Sequence, residues 1–301
     1  RGYAPLTLCR SCGHRVQCPN CSSWLVEHRH RRALMCHHCG HIERMPDTCP
    51  SCQATDKLAP CGPGVERLAE EIAALFPDKR CLVLSSDMPG GMERLQRELE
   101  EIANGQCDLI IGTQLVAKGH HFPKLSLVGV VDGDLGLASG DPRAAERSFQ
   151  VLQQVSGRAG REKTTGRALI QTFQPDHPVI KALLSGDATK FYTAEQSMRQ
   201  QAGLPPFGRL AALIVSSTDR RQAEETARLL ARLAQPPPEA VVLGPAEAPI
   251  AKLRNRYRFR LLVKTARGFD IQSYIRDWLA RLPKHKGALR ITVDIDPYSF
   301  F

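Results

Sequence analysis

Residues 9–52 read CRSCGHRVQCPNCSSWLVEHRHRRALMCHHCGHIERMPDTCPSC, and eight of them are cysteines in four Cys-x-x-Cys pairs. The pairs are Cys9/Cys12, Cys18/Cys21, Cys36/Cys39 and Cys49/Cys52. A Cys-x-x-Cys knuckle delivers two thiolates from one tight turn, and tetrahedral Zn²⁺ takes four soft donors at about 2.3 Å. Four knuckles at this density therefore predict two structural Zn²⁺ ions. A disulfide framework is disfavoured, because 301 residues are far more than a disulfide-stapled scaffold needs. Nor does a thioredoxin-like strand and helix flank any pair, which argues against a redox role.

Three pairings of the knuckles are open. Cys18/Cys21 and Cys36/Cys39 are separated by the fourteen residues Ser22 to Met35, at the short edge of ribbon spacing. That leaves Cys9/Cys12 with Cys49/Cys52, a nested arrangement and the favoured one. Crossed pairing comes next, and sequential pairing across the five residues 13–17 is tight. His14, His28, His30, His37, His38 and His41 lie among the cysteines, but with four thiolates per metal they are expected in solvent or against phosphate. Reduced, metal-holding thiolates predict a cytoplasmic setting. No apolar run is long enough for a membrane span, so no membrane partner is expected.

The formal charge of +10 favours a polyanionic partner, most simply nucleic acid. Aromatic residues make up only 6%, so a base-stacking platform is not the expected binding mode. Beyond Cys52 the pattern changes to alternating strands and helices. Helices are predicted over 62–77, 92–105 and 142–157, and strands over 81–86, 108–113, 125–132 and 167–173. That alternation predicts an α/β fold with a parallel sheet. Val65, Leu68, Ile72 and Leu75 form the apolar stripe of the first helix, and Cys81 is expected as a small buried hydrophobe. A helical linker runs to about Ala202, and GLPPFG (203–208) punctuates it. The tail reads β-α-β-β-α-β, the order of a ferredoxin-like α+β domain. In AKLRNRYRFRLLVK (251–264), Lys252, Arg254, Arg256, Arg258 and Arg260 alternate. Alternation along one strand puts all five on one face, a surface for nucleic acid or simply a solvated outer face.

QVSGRAGR (154–161) matches the Q-x-x-G-R-x-x-R signature of superfamily 2 helicases. Two guanidiniums three residues apart at a helix end, with Gly157 and Gly160 letting the backbone approach, suit a γ-phosphate clamp. GTQLVAKGHHF (112–122) follows a strand upstream and occupies the place of helicase motif V. The knuckles after RGYAP, then GPGVERL, IIGTQLVAKGHHFP, AERSFQVLQQVSGRAGR, QTFQPDHP and the closing VDIDPYSFF together resemble the PriA family of replication-restart helicases (primosomal protein N′). The likeness runs over essentially the whole chain. His121 stands where most of the superfamily has Asp, and SSDMPGG (85–91) departs from a more basic, Thr-containing family loop.

The resemblance implies a bacterial 3′→5′ DNA helicase that hydrolyses ATP, recognises branched DNA and begins primosome assembly at stalled forks. Arg158, Arg161 and Gln154 would be catalytic, Gly119 and Gly157 would line the nucleotide cleft, and Thr113 and Lys118 would touch DNA. Implied partners are branched or single-stranded DNA, single-stranded-DNA-binding protein and other primosome proteins. The expected division is 1–8 start of the second helicase lobe, 9–53 an inserted zinc module, 54–186 the lobe and 187–301 a C-terminal DNA-binding α+β domain. Residues 6–8 (LTL) are expected as the first strand of the lobe.

The sequence contains no G-x-x-x-x-G-K-[ST] loop and no DExx-type magnesium motif, and residue 1 is Arg. The chain is therefore expected to be a C-terminal half, sharing ATP and Mg²⁺ with a first lobe and inactive as an ATPase alone. Asp132 and Asp134, at a strand end, are weak candidates for Mg²⁺. The alternative reading is a zinc-dependent DNA-binding module whose helicase lobe no longer works.

Overall fold

In the computed structural model, residues 2–84, 91–113, 122, 124–137, 141–159, 166–283 and 287–299 are described. They fall into two compact units: 1–18, 23–138 and 145–183 in the first, and 19–22, 139–144 and 184–301 in the second.

The first unit begins with β1 (Leu6–Cys9), β2 (Val26–His28), β3 (Ala33–Met35), β4 (Ile42–Arg44) and β5 (Leu58–Cys61). β2, β3 and β4 form a three-stranded antiparallel meander between the second and fourth knuckles. Residues 6–8 (LTL), expected as the first strand of the lobe, fall in β1, which pairs antiparallel with β5, Leu6 opposite Cys61 and Cys9 opposite Leu58, so the cysteine-rich segment enters and leaves through one ribbon. The reason is local: both strands end at the knuckle cluster.

Lobe-type structure follows: α1 (Val65–Leu75), β6 (Cys81–Leu84), α2 (Gly91–Ala103), β7 (Leu109–Gly112), β8 (Leu127–Val130), α3 (Ala144–Ser156) and β9 (Arg167–Ile170). β6 pairs with β7 and β8 with β9, each in parallel, as strands joined through helices must. Among the described residues these are two separate two-stranded pieces. Leu84, Ile102 and Phe122 are buried together as a small core. The stripe predicted for α1 is only partly right, since Leu75 is 72% exposed while Glu66 is buried.

The second unit carries α5 (Ala188–Gln201), which follows α4 (Pro178–Ser185) of the first, then β10 (Gly208–Ser217), α6 (Arg220–Arg232), β11 (Ala240–Leu253), β12 (Arg256–Ala266), α7 (Ile271–Ala280) and β13 (Arg290–Ile295). Asp187, Asp219 and Asp270 cap α5, α6 and α7 through side-chain oxygens that accept backbone N–H groups. The antiparallel sheet has the order β11-β12-β10-β13, the ferredoxin-like arrangement expected. One face packs Leu213, Val215, Leu261 and Val263 against Ala223, Ala227, Leu230, Ile275 and Trp278 from the two helices. The Trp278 indole N–H, fully buried, donates to Leu230 O at 2.8 Å. β11 contains Pro245 and Pro249, tolerable because it is an edge strand with register shifts.

Candidate functional site

The eight cysteines form two sets, Cys9/Cys12/Cys49/Cys52 and Cys18/Cys21/Cys36/Cys39, each with its sulfurs mutually within 4.8 Å. This is the nested pairing. Four sulfurs about 2.3 Å from one tetrahedral centre sit ~3.8 Å apart. The separations found are 3.8 Å for Cys9–Cys52, 3.7 Å for Cys12–Cys49 and 3.6 Å for Cys18–Cys39. The donor sets fit Zn²⁺. The Cys49 thiol is pulled down to about 7, chiefly by the backbone N–H of Cys52, while Cys52, despite the pull of the Ala54 N–H, is pushed up to about 12 by its hydrogen bonds with Cys12, Cys49 and Cys9, so it is the bound cation that would make all four sulfurs thiolates. Cys61, Cys81 and Cys107 stand outside both sets, as expected.

Local backbone explains the knuckles. Gly13 N donates to Cys9 O, Gly40 N to Cys36 O and Gln53 N to Cys49 O, each at 2.9 Å. Each of these donors has positive φ, 76°, 79° and 59°, which turns the chain back after the second cysteine.

The histidine expectation needs correction at two positions. His28 is 1% exposed, with Nδ1 3.3 Å from Glu66 Oε1 and Nε2 3.2 Å from His37 Nε2. The second Glu66 oxygen accepts Arg29 N at 2.8 Å. Glu66 lies in the first turn of α1, where the helix dipole favours a carboxylate. Gly64, its N-cap, has no room for a side chain: an added Cβ would stand 2.1 Å from Tyr3 O. This close approach of the helix end brings Glu66 to His28. No sequence pattern marked this pair, because a lone Glu after Gly-Pro-Gly reads as a solvent-facing first-turn residue. Glu66→Ala should lower stability by about 1–3 kcal/mol, since it removes the carboxylate that the Arg29 amide and the buried His28 both meet. Glu66→Gln should restore most of the loss, as read by denaturant midpoint on zinc-loaded protein.

At the helicase signature, Gln154 is an exposed residue of α3 and Gly157 follows its last turn, its N–H bonded to Gln153 O at 2.9 Å. Arg158 is 8% exposed, with its guanidinium 6.0 Å from the Phe122 ring centroid. Thr113 is half-buried just past β7. Lys118, Gly119, His121 and Arg161 lie outside the described residues, as do most of SSDMPGG and Gly160.

Asp132 and Asp134 serve a turn. Asp132 Oδ1 accepts the N–H groups of Asp134 and Leu135 at 3.0 and 3.1 Å. Asp134 accepts the Thr172 hydroxyl at 2.5 Å and Phe173 N at 2.7 Å, and the Thr172 bond holds its carboxyl below the usual range. Three of the four carboxylate oxygens, Asp132 Oδ1 and both of Asp134, thus already accept protein donors.

The basic stripe is also different from its sequence reading. The chain turns at Arg254–Asn255, which have φ of 50° and 62°, so the five cations span two strands. Lys252 opposes Tyr257 and shares its face, whereas Arg256, Arg258 and Arg260 lie on the alternate face of β12. Arg256 donates to Ser216 O at 2.8 Å and also to Ala288 O. Burial pushes the Arg258 and Arg260 guanidiniums down, with Asp141 partly offsetting this for Arg260. These arginines serve the domain's own packing.

Three family descriptions match the chain: a PriA DNA helicase Cys-rich region over 18–44, a helicase conserved C-terminal domain over 53–163 and a primosomal protein N C-terminal domain over 200–298. Among curated proteins it is 42% identical over its whole length to the replication restart protein PriA of Rickettsia felis, covering 46% of that protein. Similar PriA proteins of Haemophilus influenzae and Bacillus subtilis are 36% and 34% identical over 99% of the chain, which covers 41% and 37% of them. The chain thus spans less than half the length of each of these relatives.

Proposed function

Since the chain belongs to the PriA family and matches the C-terminal half of its members, we propose that it is the second motor lobe, zinc module and C-terminal DNA-binding part of an ATP-dependent 3′→5′ DNA helicase that restarts stalled replication forks. The observation that carries this reading is the coincidence, in one chain, of two Cys₄ sets with an arginine held immediately after α3 inside the helicase signature. In this reading Arg158 and Arg161 clamp the γ-phosphate, Gln154 assists them, and Gly157 and Gly119 line the cleft. Thr113 and Lys118 meet the DNA backbone, while a first lobe supplies the phosphate-cradling loop and the Mg²⁺ ligands. Single-stranded-DNA-binding protein and other primosome proteins are the further partners, in a bacterial cytoplasm. Among the described residues no helix is long and apolar enough to cross a membrane. The proposed division keeps the zinc module at 9–53 within a lobe that ends near 186, followed by the DNA-binding domain at 187–301.

The 301-residue chain should bind forked DNA with an affinity that falls steeply with salt, and should hydrolyse ATP only at background rate. Fluorescence anisotropy and a phosphate-release assay read the two. DNA-stimulated turnover by this chain alone would overturn the division of labour, and absence of any DNA binding would remove the C-terminal DNA-binding role.

A further inference from the structure

In three knuckles the returning amide meets its own first cysteine, and in the fourth the equivalent amide goes to the C-terminal hairpin. In the Cys9, Cys36 and Cys49 knuckles the amide four residues beyond the first cysteine returns to that cysteine's carbonyl. At Cys18 the equivalent amide, Ser22 N, donates instead to Lys252 O at 2.8 Å. The Cys21 sulfur accepts Arg254 N at 3.5 Å, from 233 residues away. Two more bonds complete the contact: Asn255 N to Asn20 O at 3.0 Å and Lys252 Nζ to Pro19 O at 2.7 Å. Pro19–Ser22 and the β11–β12 hairpin belong to the same compact unit.

We propose that the Arg254–Asn255 turn of the C-terminal hairpin completes the Cys18/Cys21/Cys36/Cys39 zinc site, acting as its outer shell by donating the Arg254 amide to the Cys21 thiolate. The turn is built for this. A two-residue hairpin loop with both φ positive has the hand that matches strand twist, and Asn255 is a favoured residue there. It therefore presents its amides outward, toward the knuckle. A metal that fixes the Cys21 sulfur fixes the acceptor on which the hairpin tip is seated, and the docked tip in turn holds that sulfur at the metal. The coupling is reciprocal by linkage.

The test is zinc release from the full 301-residue chain into an excess of chromophoric chelator. Arg254→Pro removes the amide proton and forbids positive φ, whereas Arg254→Gly keeps the amide and suits the turn. The expected result is that Arg254→Pro releases one of the two zinc ions about 10–100-fold faster, the usual scale for an outer-shell loss, with the other unchanged. Arg254→Gly should match the parent. Parental release of both ions from Arg254→Pro overturns the proposal, as does equal acceleration of both. Hydrogen exchange on the unmutated chain gives an independent reading should Arg254→Pro misfold. The amides of residues 254–255 should be protected in zinc-loaded protein and lose protection when zinc is stripped, and unchanged protection overturns the proposal.

Discussion

Arg158→Ala, made in a protein that also carries the first lobe, will lower ATP turnover by about 10³–10⁵-fold and leave binding of forked DNA close to normal. That is the scale of losing an arginine that stabilises charge on a transferring phosphoryl group. The position suits the role. α3 ends at Ser156, Gly157 completes the turn, and Arg158 is then held almost out of solvent against Phe122. A side chain so placed has surrendered much of its rotamer freedom before any nucleotide arrives, so little ordering remains to be done. Arg158→Lys should fail nearly as badly, because an ammonium lacks the planar fork. Because Arg158 is buried, each variant must also be shown to keep its melting temperature and its zinc. Loss of DNA binding in parallel with turnover would mean that the residue is structural.

Cys36→Ser will cost the protein one of its two zinc ions and open the meander between the second and fourth knuckles. Cys36 is completely buried, and a neutral hydroxyl cannot replace a thiolate at that centre. The 27 residues from Cys18 to Arg44 bury few large side chains, chiefly Leu25, Leu34 and His28, far too small a core to fold without metal. Structural Zn²⁺ contributes roughly 10–16 kcal/mol in isolated fingers, so its loss decides whether the module exists. Elemental analysis should fall from two zinc per chain to one, with new protease cleavage confined to the meander. Cys107→Ser should keep two, since Cys107 belongs to neither cysteine set and its Sγ lies against backbone, 2.9 Å from Leu109 O and 3.6 Å from Arg80 O. A Cys36→Ser protein that keeps both metals would remove the two-site account.

The cysteine sets and the ferredoxin-like tail were legible because each rests on short-range spacing or on the order of strong periodic segments. What escaped was long-range or hidden in single residues. Glu66 looked like an ordinary first-turn acid, yet it is the buried partner of His28. Arg254 looked like one tooth of a basic comb. Only the pairing of Leu253 with Arg256 shows that it sits in a turn, although Asn255 beside it carried the signal. LTL had the composition of a strand, and composition alone does not say which neighbour a four-residue strand will choose.

The β1–β5 ribbon sets a rule for how this molecule can change over evolutionary time. Leu6 faces Cys61, so more than fifty residues leave the main chain and rejoin it across a single strand spacing. To the rest of the chain that excursion is a closed loop, and the entropic cost of closing a loop grows only with the logarithm of its length. Residues can be gained or lost between the knuckles without moving Leu6 or Cys61. The ribbon is thus a socket that tolerates changes of length in the excursion so long as His28 keeps its contact with Glu66 and residues 19–22 keep theirs with the hairpin.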